Sequence, residues 1–354
     1  MMNKEEFSQQ LLFTIAPFYA KLRDSDCGGY YGRVDHALCL YRKTTKNMVA
    51  NSRILWFFSR LAMLYPGNGY KSYADHALEF LKSHGISKKD GSICWSVSYA
   101  GEIEDDSVKT FCQAYGVLAL ATYFMAFKDP QALKSARTLQ SFIESNLRDS
   151  WGYRESLDED VKTLTSLIHL LEAYTALYLA DSAEDTRSLL ESALSVVEDK
   201  VLKSDELHLA YGCRMEPVPN AYRSFGHEVE ASFIIDEACR ALGRPCLPRT
   251  IDLAASALKD GFDGTHLAYT SLDSRAVHWG QCEAMLGFMN AYSKTGDKAF
   301  LSASQSIWDY VKGHLIDTRL GGEWLYDDSD QGHDIVSPFK GPYNNGMLCM
   351  YLGV

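Results

Sequence analysis

His227 and Glu230 are two side chains that can move protons, and they lie three residues apart in the segment SFGHEVEASFIIDEA. The apolar run that follows them predicts a helix. In a helix this spacing places both side chains on one face, within hydrogen-bonding reach. A carboxylate beside an imidazole fixes its tautomer and raises its basicity, which suits a general base working near neutral pH. An ion pair that closes a helix end explains the same spacing, so the rest of the chain must decide.

The composition argues against several classes of partner. The chain has 354 residues, of which 46% are hydrophobic and 12% aromatic, enough to bury a large core. Its formal net charge of −11 argues against nucleic acid or an anionic membrane as a partner. Nine cysteines occur without a close CxxC pair, a pattern typical of reduced thiols. We therefore expect a cytoplasmic protein without a signal peptide and without any apolar run approaching the length of a membrane span.

An aromatic, glycine-containing turn recurs about every 60 residues along the chain. Its six copies are GGYYGRVD, GSICWSVS, WGYRESLD, HLAYGCRM, HLAYTSLD and GGEWLYDD. The fourth and fifth copies share His-Leu-Ala-Tyr, which makes coincidence a poor explanation. Six turns at one period indicate a repeated structural unit.

The sequence between these turns is helical and alternates in character. Residues 130–147 and 183–202 are amphipathic, whereas residues 161–180 are apolar almost all round, as expected of a helix covered on every side. Six pairs of one half-exposed and one buried helix predict an all-α fold, an (α/α)6 barrel or six-hairpin toroid. Short hairpins are compatible with the aromatic turns. Because no linker interrupts the period, residues 1–354 are expected to form a single domain.

In such a barrel the inner helix ends and the aromatic turns form a cup. Aromatic rings with polar rims suit a carbohydrate, because the CH faces of a sugar stack on rings while its hydroxyls need directed hydrogen bonds. Core packing is the alternative explanation, and it must hold for most of the aromatic residues. The periodicity therefore predicts the place of a site, and the aromatic rings with polar rims favour a sugar as its ligand.

Five segments of the chain resemble the N-acylglucosamine 2-epimerase superfamily, closest to its cellobiose 2-epimerase branch. They are GGYYGRVDHALCLYRKTTKNMVANSRILWFFSRL, TSLIHLLEAYTALY, SFGHEVEAS, VHWGQCEAMLGFMNAY and SPFKGPYNNGMLCMYL. Each segment is loose alone, but five in the family's order are specific. The resemblance implies an (α/α)6 barrel, in agreement with the periodicity.

The resemblance also implies an isomerase that acts on sugars without a metal or redox cofactor. The implied route opens the sugar ring, and a base then removes the C2 proton to give a cis-enediol(ate). Arg53 matches the family's arginine that stabilises the developing charge. His227 matches one of two central histidines, and Glu230 matches the carboxylate that orients it. His169 matches a histidine implied in ring opening or substrate binding.

Two aromatic residues match sugar-facing positions of the family. Phe111 lies in TFCQAYG and Trp324 lies in GGEWLY. Core packing explains either residue equally well from the sequence.

Asn344 is the main departure from the family's pattern. Relatives have Pro-Tyr-His where this chain reads GPYNNG, so Asn344 replaces the second acid/base histidine. Asparagine donates and accepts hydrogen bonds but cannot hold a proton for transfer. Epimerisation returns the proton to the opposite face of C2, which needs two bases or a rotated intermediate. Aldose–ketose isomerisation needs one base, so Asn344 relatively favours an isomerase or an inert sugar binder.

Other departures accompany this one. His278-Trp279 replaces a pair of tryptophans, and His278 is a candidate for the missing base, with a hydrogen-bonding role at the rim as the alternative. Phe339 replaces a tryptophan and keeps a smaller stacking surface. Thr165 stands where relatives tend to have asparagine.

Three classes of function remain in view. The leading hypothesis is a carbohydrate 2-epimerase or aldose–ketose isomerase acting on a reducing mono- or disaccharide. The second is an inactive sugar-binding homologue. The third is an inverting glycoside hydrolase, which needs two carboxyls roughly 6.5–9.5 Å apart; its candidates are Asp35, Asp105, Asp106 and Asp328. The expected partner is a small-molecule sugar, with neither nucleic acid nor membrane, and a homodimer stays open.

Overall fold

The computed structural model describes residues 2–319, 321–329 and 332–354. Its α-helices, in chain order, are α1 (Lys4–Gln9), α2 (Ala16–Lys21), α3 (Met48–Leu64), α4 (Tyr70–Phe80), α5 (Thr110–Phe127), α6 (Pro130–Asn146), α7 (Leu164–Asp181), α8 (Glu184–Val196), α9 (Phe225–Ala241), α10 (Pro248–Asp260), α11 (His278–Thr295), α12 (Lys298–His314) and α13 (Asn344–Leu352). Three π-helical turns, Gln10–Ile15, Leu81–Gly85 and Val197–Val201, join α1 to α2 and extend α4 and α8.

The odd-numbered helices from α3 to α13 form a closed inner ring. Each packs against the next, α3 on α5, α5 on α7, α7 on α9, α9 on α11, α11 on α13, and α13 back on α3. The remaining helices lie outside, with α4, α6, α8, α10 and α12 each beside the inner helix that precedes it in the chain, and α1 beside α13. The predicted (α/α)6 barrel is confirmed.

Burial explains why the two rings differ in sequence. Helix α5 is buried along its first 14 residues, Thr110 to Tyr123, because neighbours cover it on all sides. Helix α6 buries one stripe that includes Ala136, Leu139 and Ile143 and leaves its other face in solvent. Contrary to the expectation from the sequence, α5 has the length and composition of a membrane span, yet 78% of it is buried inside the barrel, as in a core helix.

All six aromatic turns lie at the same end of the barrel, between the end of an outer helix and the start of the next inner one. Five of them form an equivalent antiparallel bridge to the end of the outer helix. These bridges are Arg23–Tyr30, Ile86–Ile93, Arg148–Tyr153, Phe262–Leu267 and Ile316–Trp324. The loops also carry the expected short hairpins. One sheet pairs β1 (Lys46–Asn47), β2 (Ser96–Val97) and β3 (Ile103–Asp105), and another pairs β4 (Lys162–Thr163) with β5 (Ala210–Tyr211).

Buried lysines fix these loops just before three of the inner helices. Each ammonium meets a carboxylate of the preceding aromatic turn region, and each lysine side chain is fully buried. The pairs are Lys46–Asp24 at 2.6 Å, Lys162–Asp149 at 2.8 Å and Lys340–Glu323 at 2.5 Å. Burying a charge costs free energy unless the charge is paired and hydrogen-bonded. The pairs therefore anchor the loops that lead into α3, α7 and α13.

Candidate active site

A cavity of about 130 Å³ lies where the N-termini of the six inner helices converge. Every inner helix contributes to its lining, which comprises Arg53, Phe111, Thr165, His169, His227, Glu230, Trp279, Phe339 and Asn344. All of these residues except Phe339 lie within the first six positions of their helix. The N-terminus of a helix carries partial positive charge, so six converging N-termini favour an anion or a developing negative charge.

Arg53 supplies a full positive charge to this cavity. Its Nη1 donates to the Phe339 carbonyl at 3.1 Å and its Nη2 to the Tyr115 hydroxyl at 2.7 Å. The guanidinium also lies 4.3 Å from the centre of the Tyr115 ring and 5.0 Å from that of Tyr343. Among the described residues no carboxylate comes within 4.0 Å of it. Its charge is therefore held in place by neutral groups and is free to stabilise an anionic intermediate.

His169 lies between two carboxylates. Its Nδ1 is 3.0 Å from Glu172 Oε2, and its Nε2 is 3.4 Å from Glu230 Oε1. Burial disfavours the imidazolium, but the charge of Glu230 and the hydrogen bond that His169 donates to Glu172 outweigh it and raise the pKa of His169 to about 9. Burial also opposes ionisation of Glu230, yet His169 holds the Glu230 pKa below its usual value. At neutral pH His169 is a proton donor, suited to the ring oxygen of a sugar.

The pKa of His227 is lowered, in contrast to that of His169. Burial is the main cause that lowers its pKa, and the positive charge of His169 acts in the same direction. Its Nδ1 is 2.7 Å from Ser224 Oγ, and its Nε2 is 3.3 Å from Thr165 Oγ1, a group of the cavity wall. The ring packs edge-on against Trp279, with the ring centres 4.9 Å apart. A neutral, oriented imidazole at the cavity is a proton acceptor.

The predicted pairing of Glu230 with His227 is wrong. Ser224 occupies the Nδ1 side of His227, and the Glu230 carboxylate turns towards α7 instead, where it meets His169. The imidazolium of His169 is the stronger attraction for a buried carboxylate. The pairing expected from three-residue spacing does occur, but between His169 and Glu172.

Asn344 faces the cavity and contacts a buried carboxyl group behind it. Its Nδ2 lies 2.8 Å from Oε1 of Glu283, whose Oε2 has no hydrogen-bond partner among the described residues. Burial, together with the negative charge of Glu230, raises the pKa of Glu283 well above its usual value. Burial thus favours the protonated form of Glu283, and Asn344 presents an amide to this side of the cavity, where a transferable proton would be needed.

Trp324 does not face the cavity, which corrects its predicted role in sugar binding. The side chain is fully buried, its ring centre lies 6.1 Å from that of Trp308, and its Nε1 donates to Gln10 Oε1 at 3.3 Å. The bridge between Ile316 and Trp324 directs this ring between the outer helices. Trp324 is a core residue of the barrel wall.

The proposal of His278 as the missing base is also corrected by its placement. His278 is only 1% exposed and lies outside the described cavity lining, with Nδ1 3.1 Å from the Tyr326 carbonyl. Consecutive side chains on a helix diverge by about 100°, so when Trp279 points into the cavity His278 points away from it. Burial lowers the pKa of His278 well below its usual value, which keeps the ring neutral.

Several residues of this network escaped the sequence reasoning. Glu172 repeats the His-x-x-Glu spacing with His169, and that signal was available. Glu283, a carboxylate within a buried helix, was a second signal. Tyr115 and Tyr343 look like ordinary core aromatics in the sequence. The hydroxyl of Tyr343 donates to Glu172 Oε1 at 2.5 Å.

The hydrolase candidates Asp35, Asp105, Asp106 and Asp328 lie outside the cavity lining. Glu230 is the one carboxylate among the described lining residues, and it is paired with an imidazolium. Two opposed carboxyls across a substrate, as an inverting hydrolase requires, are therefore not found among the residues that line this cavity.

Comparison with known proteins places the chain in a family. The sequence profile of N-acylglucosamine 2-epimerase (GlcNAc 2-epimerase) matches residues 29–345. A cellobiose 2-epimerase of Ruminococcus albus is 35% identical over 99% of this chain and 98% of its own length. A cellobiose 2-epimerase of Dictyoglomus turgidum is 30% identical over 98% of this chain and 97% of its own length.

Solved structures of cellobiose 2-epimerases also share the fold of this chain. The cellobiose 2-epimerase of Bacillus thermoamylovorans superposes with a TM-score of 0.93 at 32% identity, covering 99% of this chain and 98% of that one. A D-mannose isomerase superposes with a TM-score of 0.89 at 17% identity, covering 99% and 97%, and shows the shared fold alone. The chain belongs to the N-acylglucosamine 2-epimerase family, as its resemblance implied, and with it to the isomerases that act on carbohydrates.

Proposed function

We propose that this protein opens the ring of a reducing sugar and moves a proton between C2 and C1 through a cis-enediol(ate), with aldose–ketose isomerisation as the favoured outcome. The observation that carries the proposal is the convergence of three groups on one cavity: the unneutralised guanidinium of Arg53, the protonated His169 and the neutral His227. These are the donor, the acid and the base that the chemistry requires.

Each step follows from the state of one residue. His169 donates its proton to the ring oxygen while the C1 hydroxyl loses its proton to solvent, and this frees the C1 aldehyde. His227 then removes the C2 proton, which the adjacent carbonyl makes acidic. Arg53 and the converging helix N-termini stabilise the negative charge that develops on the enediolate oxygens. His227 returns the proton to C1 from the same face while the proton of the O2 hydroxyl passes to O1, which gives the ketose.

Asn344 is the reason for favouring isomerisation over epimerisation. Inversion at C2 needs a proton delivered from the other face, and the amide of Asn344 cannot hold one. Glu283 lies behind Asn344, 2.8 Å from its Nδ2, and outside the cavity lining. Inversion must then proceed by rotation of the intermediate beside His227, which we expect to be the slower path.

A disaccharide such as cellobiose is the proposed substrate class. The relatives named above are cellobiose 2-epimerases. The Phe339 side of the cavity continues outward as an aromatic surface, because Phe339 is 54% exposed and its ring centre lies 6.2 Å from that of Trp95. A second sugar ring linked to the reducing one has a surface on which to stack.

The test is incubation with cellobiose, glucose and mannose in D2O, followed by NMR of the sugars. We expect deuterium at C2 of the recovered aldose and a ketose product labelled at C1. No exchange with any reducing sugar of a broad panel would remove the enzymatic proposal.

Asn344 also favours one alternative, a sugar-binding protein without catalysis. In that case calorimetric titration shows cellobiose binding while the D2O experiment shows no exchange, and Asn344→His introduces exchange. Absence of sugar binding by calorimetry would dismiss this alternative.

A cytoplasmic location remains a prediction, supported by nine cysteines that are all free thiols. A homodimer also remains untested.

A further inference from the structure

The barrel lumen contains a second cavity at the end opposite the aromatic turns, which we call the lower cavity. It is formed by the C-terminal halves of α3, α5, α7 and α9 and by α13, and its volume is about 110 Å³. Glu172 lines it, and the same carboxylate holds His169 of the candidate active site. The layer of side chains that includes Glu172 and His169 therefore separates the two cavities.

The walls of the lower cavity are apolar. Its lining includes the side chains of Trp56, Leu118, Met125, Leu179, Phe233 and Met347. The hydroxyls of two threonines in the wall donate hydrogen bonds to carbonyls of their own helices. Thr122 donates to the Leu118 carbonyl at 2.7 Å, and Thr175 donates to the Leu171 carbonyl at 2.8 Å. Few hydrogen-bond donors are thus left for a polar ligand such as a sugar.

Arg60 supplies a positive charge to this cavity. No carboxylate of the described residues lies within 4.0 Å of its guanidinium. The other charged groups of the lining already have partners. Glu237 pairs with Arg240 and accepts the Tyr351 hydroxyl at 2.5 Å, and Glu172 pairs with His169. The lower cavity thus combines an apolar chamber with one cation whose charge is not compensated.

We propose that the lower cavity binds a small amphipathic carboxylate, with its hydrocarbon or aromatic body between the inner helices and its carboxylate on Arg60. An apolar cavity of about 150 Å³ in a protein interior stays dry and takes up benzene, so about 110 Å³ suits a body near that size when the head group remains at the mouth. Arginine binds carboxylates through two parallel hydrogen bonds, which selects this head group over a neutral one.

The test uses three probes with one aromatic body: 4-fluorobenzoate, 4-fluorobenzyl alcohol and 4-fluorobenzylamine. Each is titrated into the full-length protein and followed by fluorine NMR. We expect saturable binding of the benzoate, roughly fivefold tighter than the alcohol, as one partly exposed ion pair allows. The amine should bind no better than the alcohol. Excess cellobiose should leave the benzoate in place, because the sugar belongs to the other cavity.

Two variants and one control localise the binding. Ala176→Leu fills the lower cavity from α7 and should abolish binding of all three probes. Arg60→Gln should weaken the benzoate to the level of the alcohol. Arg214→Gln, at an exposed arginine far along the chain, should change nothing. The proposal is overturned if the folded protein binds no probe, if Ala176→Leu leaves binding intact, or if cellobiose displaces the benzoate.

Discussion

The Nδ2 atom of Asn344 lies 2.8 Å from Oε1 of Glu283, a carboxyl group whose pKa burial raises well above its usual value. On the other side of the cavity, His227 is a neutral base held by Ser224. The two walls of the site therefore differ in their capacity for proton transfer. One can take and return a proton, whereas the other can only form hydrogen bonds.

Replacing Asn344 by histidine should restore proton transfer on that wall. We expect Asn344→His to raise the ratio of 2-epimer to ketose by at least about tenfold, since a positioned acid/base group contributes on the order of 10²–10⁴ in rate. The ratio is read by chromatography of the products from cellobiose. Asn344→Gln is the matched control and should leave it unchanged. An unchanged ratio in a folded Asn344→His protein would contradict the assignment of a single base.

His227→Asn should abolish proton exchange at C2 while sugar binding persists. The expected loss in kcat is on the order of 10²-fold or more, because no other neutral base lines the described cavity. Since the pKa of His227 is lowered, the wild-type rate should decline only at a pH below the ordinary range of histidine. An acid limb at or above about pH 6.5 would speak against His227 as the base.

Glu172→Gln should shift the alkaline limb of the rate profile. His169 has a pKa of about 9 and loses its proton as the pH rises through that value, so ring opening should slow above it. Without the Glu172 charge this pKa falls, and the limb should move towards neutral pH. The measurement is kcat/KM between about pH 6 and 11. Glu237→Gln, a carboxylate of the lower cavity with no contact to His169, should keep the wild-type limb.

Arg53→Lys keeps a positive charge but loses the planar fork that meets Tyr115 and the Phe339 carbonyl. We expect kcat to fall on the order of 10²-fold with a smaller change in KM, because the charge acts on the intermediate more than on the bound sugar. Arg60→Lys, two helical turns further along α3, is the control for a charge within the same helix. Equal losses in both variants would point to damage of α3.

Asp24→Asn tests the buried pair that holds the first aromatic turn. Burial opposes the charge of Asp24, but Lys46 outweighs it and lowers the Asp24 pKa, so its stabilising contribution is present above about pH 4 and lost as the pH falls through the lowered value. The variant leaves the buried Lys46 ammonium with the Gly28 and Tyr99 carbonyls as acceptors but without a counter-charge, at a cost of about 3–5 kcal/mol in the free energy of unfolding. Urea denaturation at neutral pH measures this.

Asp199→Asn, in the exposed pair with Lys203, is the control and should cost less than about 1 kcal/mol. The double variant Asp24→Asn with Lys46→Met removes the buried ammonium as well and should recover part of the stability that Asp24→Asn loses. If it recovers none, the unpaired Lys46 charge is not the cause of that loss.

Much of the architecture was predictable from the sequence because it depends on patterns within single helices. A helix that is apolar all round, such as α7, must be covered on every side, and a helix with one apolar stripe, such as α6, must lie outside it. The recurring aromatic turns then required six such pairs. The resemblance to the family, and not the periodicity, assigned Arg53, His227 and Asn344 to the site, and all three lie where inner helices begin.

The partners of those side chains were decided only by the tertiary structure. Three-residue spacing indicates that Glu230 can reach His227, but it contains no information about His169, which arrives from the neighbouring helix and attracts the carboxylate more strongly. Likewise, the direction in which α11 is rotated decides that Trp279 faces the cavity and His278 does not. Local periodicity is a property of one helix, whereas contacts across a ring depend on the rotation and packing of several, which no single segment encodes.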